Sequence, residues 1–223
     1  MRLRSVGRRA LLLEWPTPAA ADIEAWRAEL SRRRDLGELA VVDIVPAART
    51  ILLDGLPDPA ATVTQVANWP PPVPSETASV TVVTVPVRYD GPDLPQVARH
   101  WAVDVAGAVE RLTGIEFTVA FCGFAPGFGY LTGLPAGWTV PRRASPRPAV
   151  PAGSVALAGE YAGIYPTASP GGWQLVGRTD LVLFDLDREQ PATLAPGTRV
   201  RLSPVGPPPD PPRRLPDPAR GPR

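Results

Sequence analysis

The stretch Asn68–Thr77, NWPPPVPSET, divides the chain. Four of the five residues from Pro70 to Pro74 are proline, which fixes φ, removes backbone donors and favours stiff extended chain over helix or sheet. Two folded parts are therefore expected, 1–70 and 79–205, joined by a linker at 71–78. A disordered tail is expected over 206–223, where GPPPDPPRRLPDPARGPR offers almost no apolar side chains.

Upstream of the divide, Arg9–Trp15 carries the apolar run Ala10-Leu11-Leu12-Leu13 and reads as a buried strand ended by Pro16 and Pro18. From Ala20 to Leu36 the residues Ile23, Trp26 and Leu30 recur at helical spacing. Asp22 and Glu24 lie at the positive end of that helix, Arg32, Arg33 and Arg34 at its negative end, and Gly37 follows as a cap. Leu39–Val45 and Thr50–Leu53 read as strands turning around Pro46, and Pro59–Trp69 as a second helix. The order β-α-β-β-α predicts a ferredoxin-like α+β sandwich.

Downstream, Ser79–Val87 is dense in Val and Thr and reads as a strand. Pro92–Thr113 carries a helical stripe of Leu94, Val97, Trp101, Val105, Val109 and Leu112, with a break expected near Ala102. Short apolar runs then follow at Phe117–Cys122, Val155–Ala158, Gly163–Tyr165, Trp173–Val176, Leu181–Phe184 and Arg199–Leu202. Punctuated by Gly and Pro, they predict a small closed β-barrel, so the fold class is α+β.

Composition removes several chemistries. Of 223 residues 31 are Pro and 20 Gly, which points to loops and short strands rather than a helical bundle. There is no Lys, so the chain contains no P-loop lysine, no Schiff-base lysine and no residue to carry biotin. One His and one Cys (His100 and Cys122) cannot make a Cys/His zinc site or an internal disulfide, and no metal site is expected. A net charge of +1 gives no field for nucleic acid. The N-terminus MRLRSVGRRALLLEW lacks the apolar core of a secretion signal, so no membrane partner and a cytoplasmic location are expected.

The candidate chemistry lies in the loop-rich centre. Arg142, Arg143 and Arg147 share one proline-flanked loop, which is either solvated or built to fork onto a carboxylate or phosphate. In Ser169–Trp173, SPGGW, successive amides at Gly171 and Gly172 suit either a turn or an oxyanion nest, with Ser169 adding a hydroxyl and Trp173 a flat wall. Arg178 follows one strand later. His100 reads as a surface or capping residue and Cys122 as a buried thiol; no nucleophile-elbow motif accompanies them.

Three runs, FCGFAPGFGYLTGL (Phe121–Leu134), VPRRASPRPAVPAGSVALAG (Val140–Gly159) and GIYPTASPGGWQLVGRT (Gly163–Thr179), closely resemble the family of the B subunit of bacterial 5-oxoprolinase. That family is also known as KipI-like or allophanate hydrolase subunit 1 and is placed here with carboxyltransferase subdomains A/B. With LFDLDREQPATLAPGTRVRLSPV (Leu183–Val205), the likeness covers about Val80 to Val205. It implies a ferredoxin-like N-terminal domain and a cyclophilin-like C-terminal barrel. It further implies a protein that pairs directly with a C subunit and works with an A subunit to convert 5-oxo-L-proline to L-glutamate, using ATP as Mg-ATP at a site shared with the partners. Alternative implied roles are inhibition of a sensor histidine kinase and a part in allophanate or urea metabolism.

On this resemblance, Arg143, Arg147 and Ser169 are expected to be catalytic. Arg142, Gly171, Gly172 and Arg178 would bind substrate or phosphate between walls of Phe124, Phe128, Tyr130 and Trp173. The chain departs from the family's usual pattern at Gly129, in place of proline, and at Leu112, in place of a histidine that would bear on the site. Its acidic turn, Tyr89-Asp90-Gly91-Pro92, is also shorter.

Overall fold

A computed structural model describes residues 1–17, 20–73 and 82–206, without the side chains of 20 and 21. Most of the expected linker and nearly all of the expected tail lie outside the described residues.

The first sheet is made of β1 (Arg2–Val6), β2 (Ala10–Glu14), β3 (Asp43–Pro46) and β4 (Thr50–Asp54), in the order β1-β2-β4-β3 with every neighbour antiparallel. Helix α1 (Ala20–Asp35) connects β2 to β3, and α2 (Pro59–Ala67) follows β4. The arrangement is ferredoxin-like with one change. The strand flanking β2 comes first in the chain, as a hairpin with β2, rather than after α2. Alternation explains the packing: Leu11 and Leu13 of β2 and Ile51 and Leu53 of β4 are fully buried against Ile23, Trp26 and Leu30 of α1. Helix α2 starts where Asp58 accepts a hydrogen bond from the Ala61 amide at 3.0 Å ahead of Pro59.

The second sheet opens with β5 (Val82–Val87). Two helices follow, α3 (Leu94–His100) and α4 (Val105–Thr113), broken as expected at Ala102, whose φ is +54°. Then come β6 (Glu116–Cys122), β7 (Gly129–Thr132), a 3₁₀ turn at Ala136–Trp138, β8 (Arg147–Val150), β9 (Ser154–Ala158), β10 (Tyr161–Ile164), β11 (Ser169–Gly171), β12 (Gln174–Arg178) and β13 (Arg199–Pro204). Seven of these pair in the order β12-β9-β10-β7-β6-β13-β5. Reciprocal backbone hydrogen bonds between Arg88 and Arg178, at 2.8 and 2.9 Å, join the two edges into a barrel. Strands β8 and β11 form a separate ribbon.

Leu181–Phe184, expected to be a strand, has only an isolated bridge from Phe184 to Ala192. Its apolar residues split between a buried Leu183 and exposed Val182 and Phe184, so the run covers the barrel without entering its ladder.

Strand β9 explains where the site can form. It is buried on both faces: Val155 and Leu157 point into the barrel core, whereas Ala156 and Ala158 pack outside with Phe128, Val150, Tyr165, Trp173 and Leu175. Small residues on the outer face leave room for that aromatic layer. Leu112, where the family usually has histidine, is fully buried in the inner core and lines neither of the cavities described below.

Candidate functional site

The outer aromatic layer encloses a pocket of about 540 Å³, the size of a small-molecule site. Phe128 is its hub. The ring is 1 % exposed and meets Phe124, Tyr130, Tyr165 and Trp173 edge-on at centroid distances of 5.3, 5.0, 5.4 and 5.5 Å. Phe124 stands at the mouth, 59 % exposed, on a backbone with φ of +71°. Two glycines make the walls thin. A methyl on Gly163 would lie 2.8 Å from Phe128 Cζ and 3.0 Å from Trp173 Cζ3, and one on Gly171 would lie 2.3 Å from the Tyr165 hydroxyl. Gly171→Ala is therefore expected to displace the Tyr165 ring and weaken ligand binding by about tenfold or more. Calorimetry with a small carboxylate checks this, and unchanged affinity would show that the ring has slack.

Arg142 is exposed and brings its guanidinium to this pocket, beside Gly172, with no hydrogen bond or ion pair to any described residue. Burial holds the Tyr165 hydroxyl above its usual range, against the opposing pull of the Arg142 charge. Tyr161, at the edge of the pocket, is pushed up to about 12 by burial and then by the adjacent Glu160 carboxylate. Both phenols are therefore proton donors at neutral pH. Among the described residues, no carboxylate, histidine or cysteine lines the pocket. Its chemistry is that of a binding site for a flat or apolar group carrying one negative charge.

Arg143 and Arg147, expected to be catalytic, are turned away from the pocket. Both pair with Oδ1 of Asp93, at 3.0 and 2.8 Å, while Oδ2 accepts from the Leu175 amide at 2.7 Å. Asp93 is only 4 % exposed. It occupies the N-cap position of α3 but makes no side-chain cap hydrogen bond. Arg147 also reaches the Trp173 carbonyl at 3.4 Å, the Arg143 amide donates to the Gly172 carbonyl at 2.8 Å, and Gln174 Nε2 donates to the Pro141 carbonyl at 3.0 Å. Residues on both sides of Arg142 are thus tied to β12 and the turn before it. Of the three arginines in this loop, Arg142 alone has no partner among the described residues.

Three further expectations change. Ser169 lies in β11 with its hydroxyl donating to the Thr167 carbonyl at 3.4 Å, and does not line the pocket. Arg178 lies at the end of β12 in a solvated pair with Asp90, 2.8 Å away. Gly171 and Gly172 do line the pocket. Neither has positive φ, however, and the Gly172 carbonyl faces the Arg143 amide, so they form a flat wall in place of an oxyanion nest. The aromatic residues Phe124, Phe128, Tyr130 and Trp173 all line this one pocket.

Sequence reasoning missed Tyr165 and Asp93. Tyr165 sits in the quoted GIYP run, and the acid in GPDLP before a helix reads naturally as a cap. His100 is exposed on α3, its Nε2 2.9 Å from the Thr139 carbonyl. The Cys122 thiol is raised by burial and donates to the Leu194 carbonyl at 3.2 Å.

The pocket does not by itself fit Mg-ATP. It offers a single guanidinium and no carboxylate for a metal, and no group of three or more His, Cys, Asp or Glu among the described residues is placed to hold one. No described helix is long and apolar enough to cross a membrane.

Comparison with known proteins gives the lineage. The chain is 49 % identical over 125 residues to a protein of Escherichia coli O157:H7 named as the B subunit of 5-oxoprolinase, covering 55 % of this chain and 57 % of that protein. It is 42 % identical over 124 residues to the protein of the same name from Bacillus subtilis strain 168, covering 54 % and 52 %. The matched region spans about half the length of these curated relatives. The crystal structure of the protein TTHA0988 superposes with a TM-score of 0.74 at 33 % identity, over 92 % of this chain and 42 % of that one. The carboxyltransferase domain family, subdomains C and D, matches residues 1–194, which replaces the A/B grouping expected from sequence. The chain belongs to this carboxyltransferase-domain family.

Proposed function

We propose that this chain is the B subunit of an ATP-dependent 5-oxoprolinase, hydrolysing 5-oxo-L-proline to L-glutamate as ATP becomes ADP and phosphate, and active only together with the C and A subunits. The observation that carries this reading is the aromatic pocket with its one uncommitted guanidinium, Arg142. 5-Oxo-L-proline is a small ring with a single carboxylate. Arg142 takes the carboxylate, Phe128 and Trp173 pack the ring, and the phenols of Tyr130 and Tyr165 donate to its carbonyl oxygen. A lactam carbonyl resists water until its oxygen is phosphorylated, and the groups that hold Mg-ATP are contributed by the partners. The names of the relatives support the same assignment.

The test is co-expression with homologues of the C and A subunits from the same genome. The expected result is a stable complex that releases ADP and L-glutamate only when 5-oxo-L-proline is present. A complex without that dependence, or failure to associate with the C subunit, overturns the reading.

A further inference from the structure

A second cavity, of about 470 Å³, lies between the first sheet and the barrel. Its charged groups come from opposite sides. Arg49 sits in the turn between β3 and β4, and Glu160 in the turn between β9 and β10. Both residues are exposed; Arg49 donates to the Pro16 carbonyl and Glu160 accepts from the Tyr161 hydroxyl, but neither has a counter-ion among the described residues and they form no ion pair with each other. The floor between them is apolar, from Ile23, Phe121 and Leu134. Tyr161 lines this cavity as well as the aromatic pocket.

Two opposite charges on one cavity, neither neutralised by a counter-ion, select for a particular kind of ligand. A simple anion would meet repulsion from Glu160, and a simple cation from Arg49. A molecule carrying both charges satisfies both walls at once without adding net charge.

We propose that this cavity is a binding site for a zwitterionic α-amino acid, its carboxylate on Arg49, its ammonium on Glu160 and its side chain over the apolar floor. The Tyr161 hydroxyl donates to Glu160 and so holds that carboxylate at the edge of the cavity. Because the walls belong to two sheets, the ligand bridges them and steadies their contact at the edge of the aromatic pocket. This inference does not depend on the 5-oxoprolinase reading.

The experiment is calorimetry on the full-length chain with L-alanine, L-glutamate and 5-oxo-L-proline, the last lacking an ammonium group. The wild type is expected to bind at least one of the two amino acids. Glu160→Gln and Arg49→Gln should each weaken that binding by about tenfold or more, with Arg49→Lys recovering part of it. 5-Oxo-L-proline binding should respond to Arg142→Gln and to neither of the other two variants. No binding of either amino acid up to about 10 mM overturns the proposal. So does loss in only one of Glu160→Gln and Arg49→Gln, or sensitivity of amino-acid binding to Arg142→Gln alone. Absence of 5-oxo-L-proline binding by the wild type, with amino-acid binding intact, would count against the proposed enzyme function and leave this site standing.

Discussion

Asp93→Ala is expected to lower stability by about 3 kcal/mol, seen as a melting temperature reduced by roughly 6–12 °C. The carboxylate is buried and accepts from two guanidinium groups and one backbone amide. Its removal strands all three donors. The Leu175 amide loses its partner in the interior, while Arg143 and Arg147, with side chains 34 % and 20 % exposed, recover only part of their solvation. That partial recovery places the expected loss at the lower end for a broken buried ion pair. Asp93→Asn keeps an acceptor for the Leu175 amide without the charge and should cost roughly half as much. Thermal melts of the two variants and of Arg147→Ala check this. A melt of Asp93→Ala indistinguishable from wild type would show that the clamp contributes nothing to the folded state.

Arg142→Gln is expected to do the reverse, leaving the melting temperature unchanged and raising the KM for 5-oxo-L-proline about 30-fold in the assembled complex. That corresponds to loss of roughly 2 kcal/mol from charge-assisted hydrogen bonds. Arg142 is exposed and makes no hydrogen bond or ion pair among the described residues that folding would miss. Arg142→Lys retains a point charge but loses the planar fork, and should recover only part of the affinity. An unchanged KM in Arg142→Gln would remove this residue from the site. The two variants together separate the residue that holds the pocket in shape from the one that meets the ligand.

Much of the architecture was legible in local pattern. Helix α1 follows from Ile23, Trp26 and Leu30 at helical spacing and from the charge bias at its ends, and α3 and α4 from one apolar stripe between Leu94 and Leu112 with a break expected near Ala102. Strand β1 was not legible. Its pattern RLRSV is exposed along almost its whole length, and it is a strand only because it pairs with β2. Leu181–Phe184 failed for the opposite reason, since an apolar run states that something is to be covered without saying by which element.

The site divides in the same way. Residue types alone determined that any chemistry here proceeds without lysine, a Cys/His metal centre or an internal disulfide. The three central runs also hold Arg142, Gly171, Gly172, Phe124, Phe128, Tyr130 and Trp173, which the structure brings to one pocket. Tertiary structure decided which of the three arginines in one loop is available. A guanidinium is committed or free according to whether a carboxylate lies within reach, and Asp93 is 50 residues from Arg143 in the chain yet 3.0 Å from it in space. Spacing along a sequence carries no record of such a meeting, because it is the closure of the barrel that brings α3 and β12 against the arginine loop.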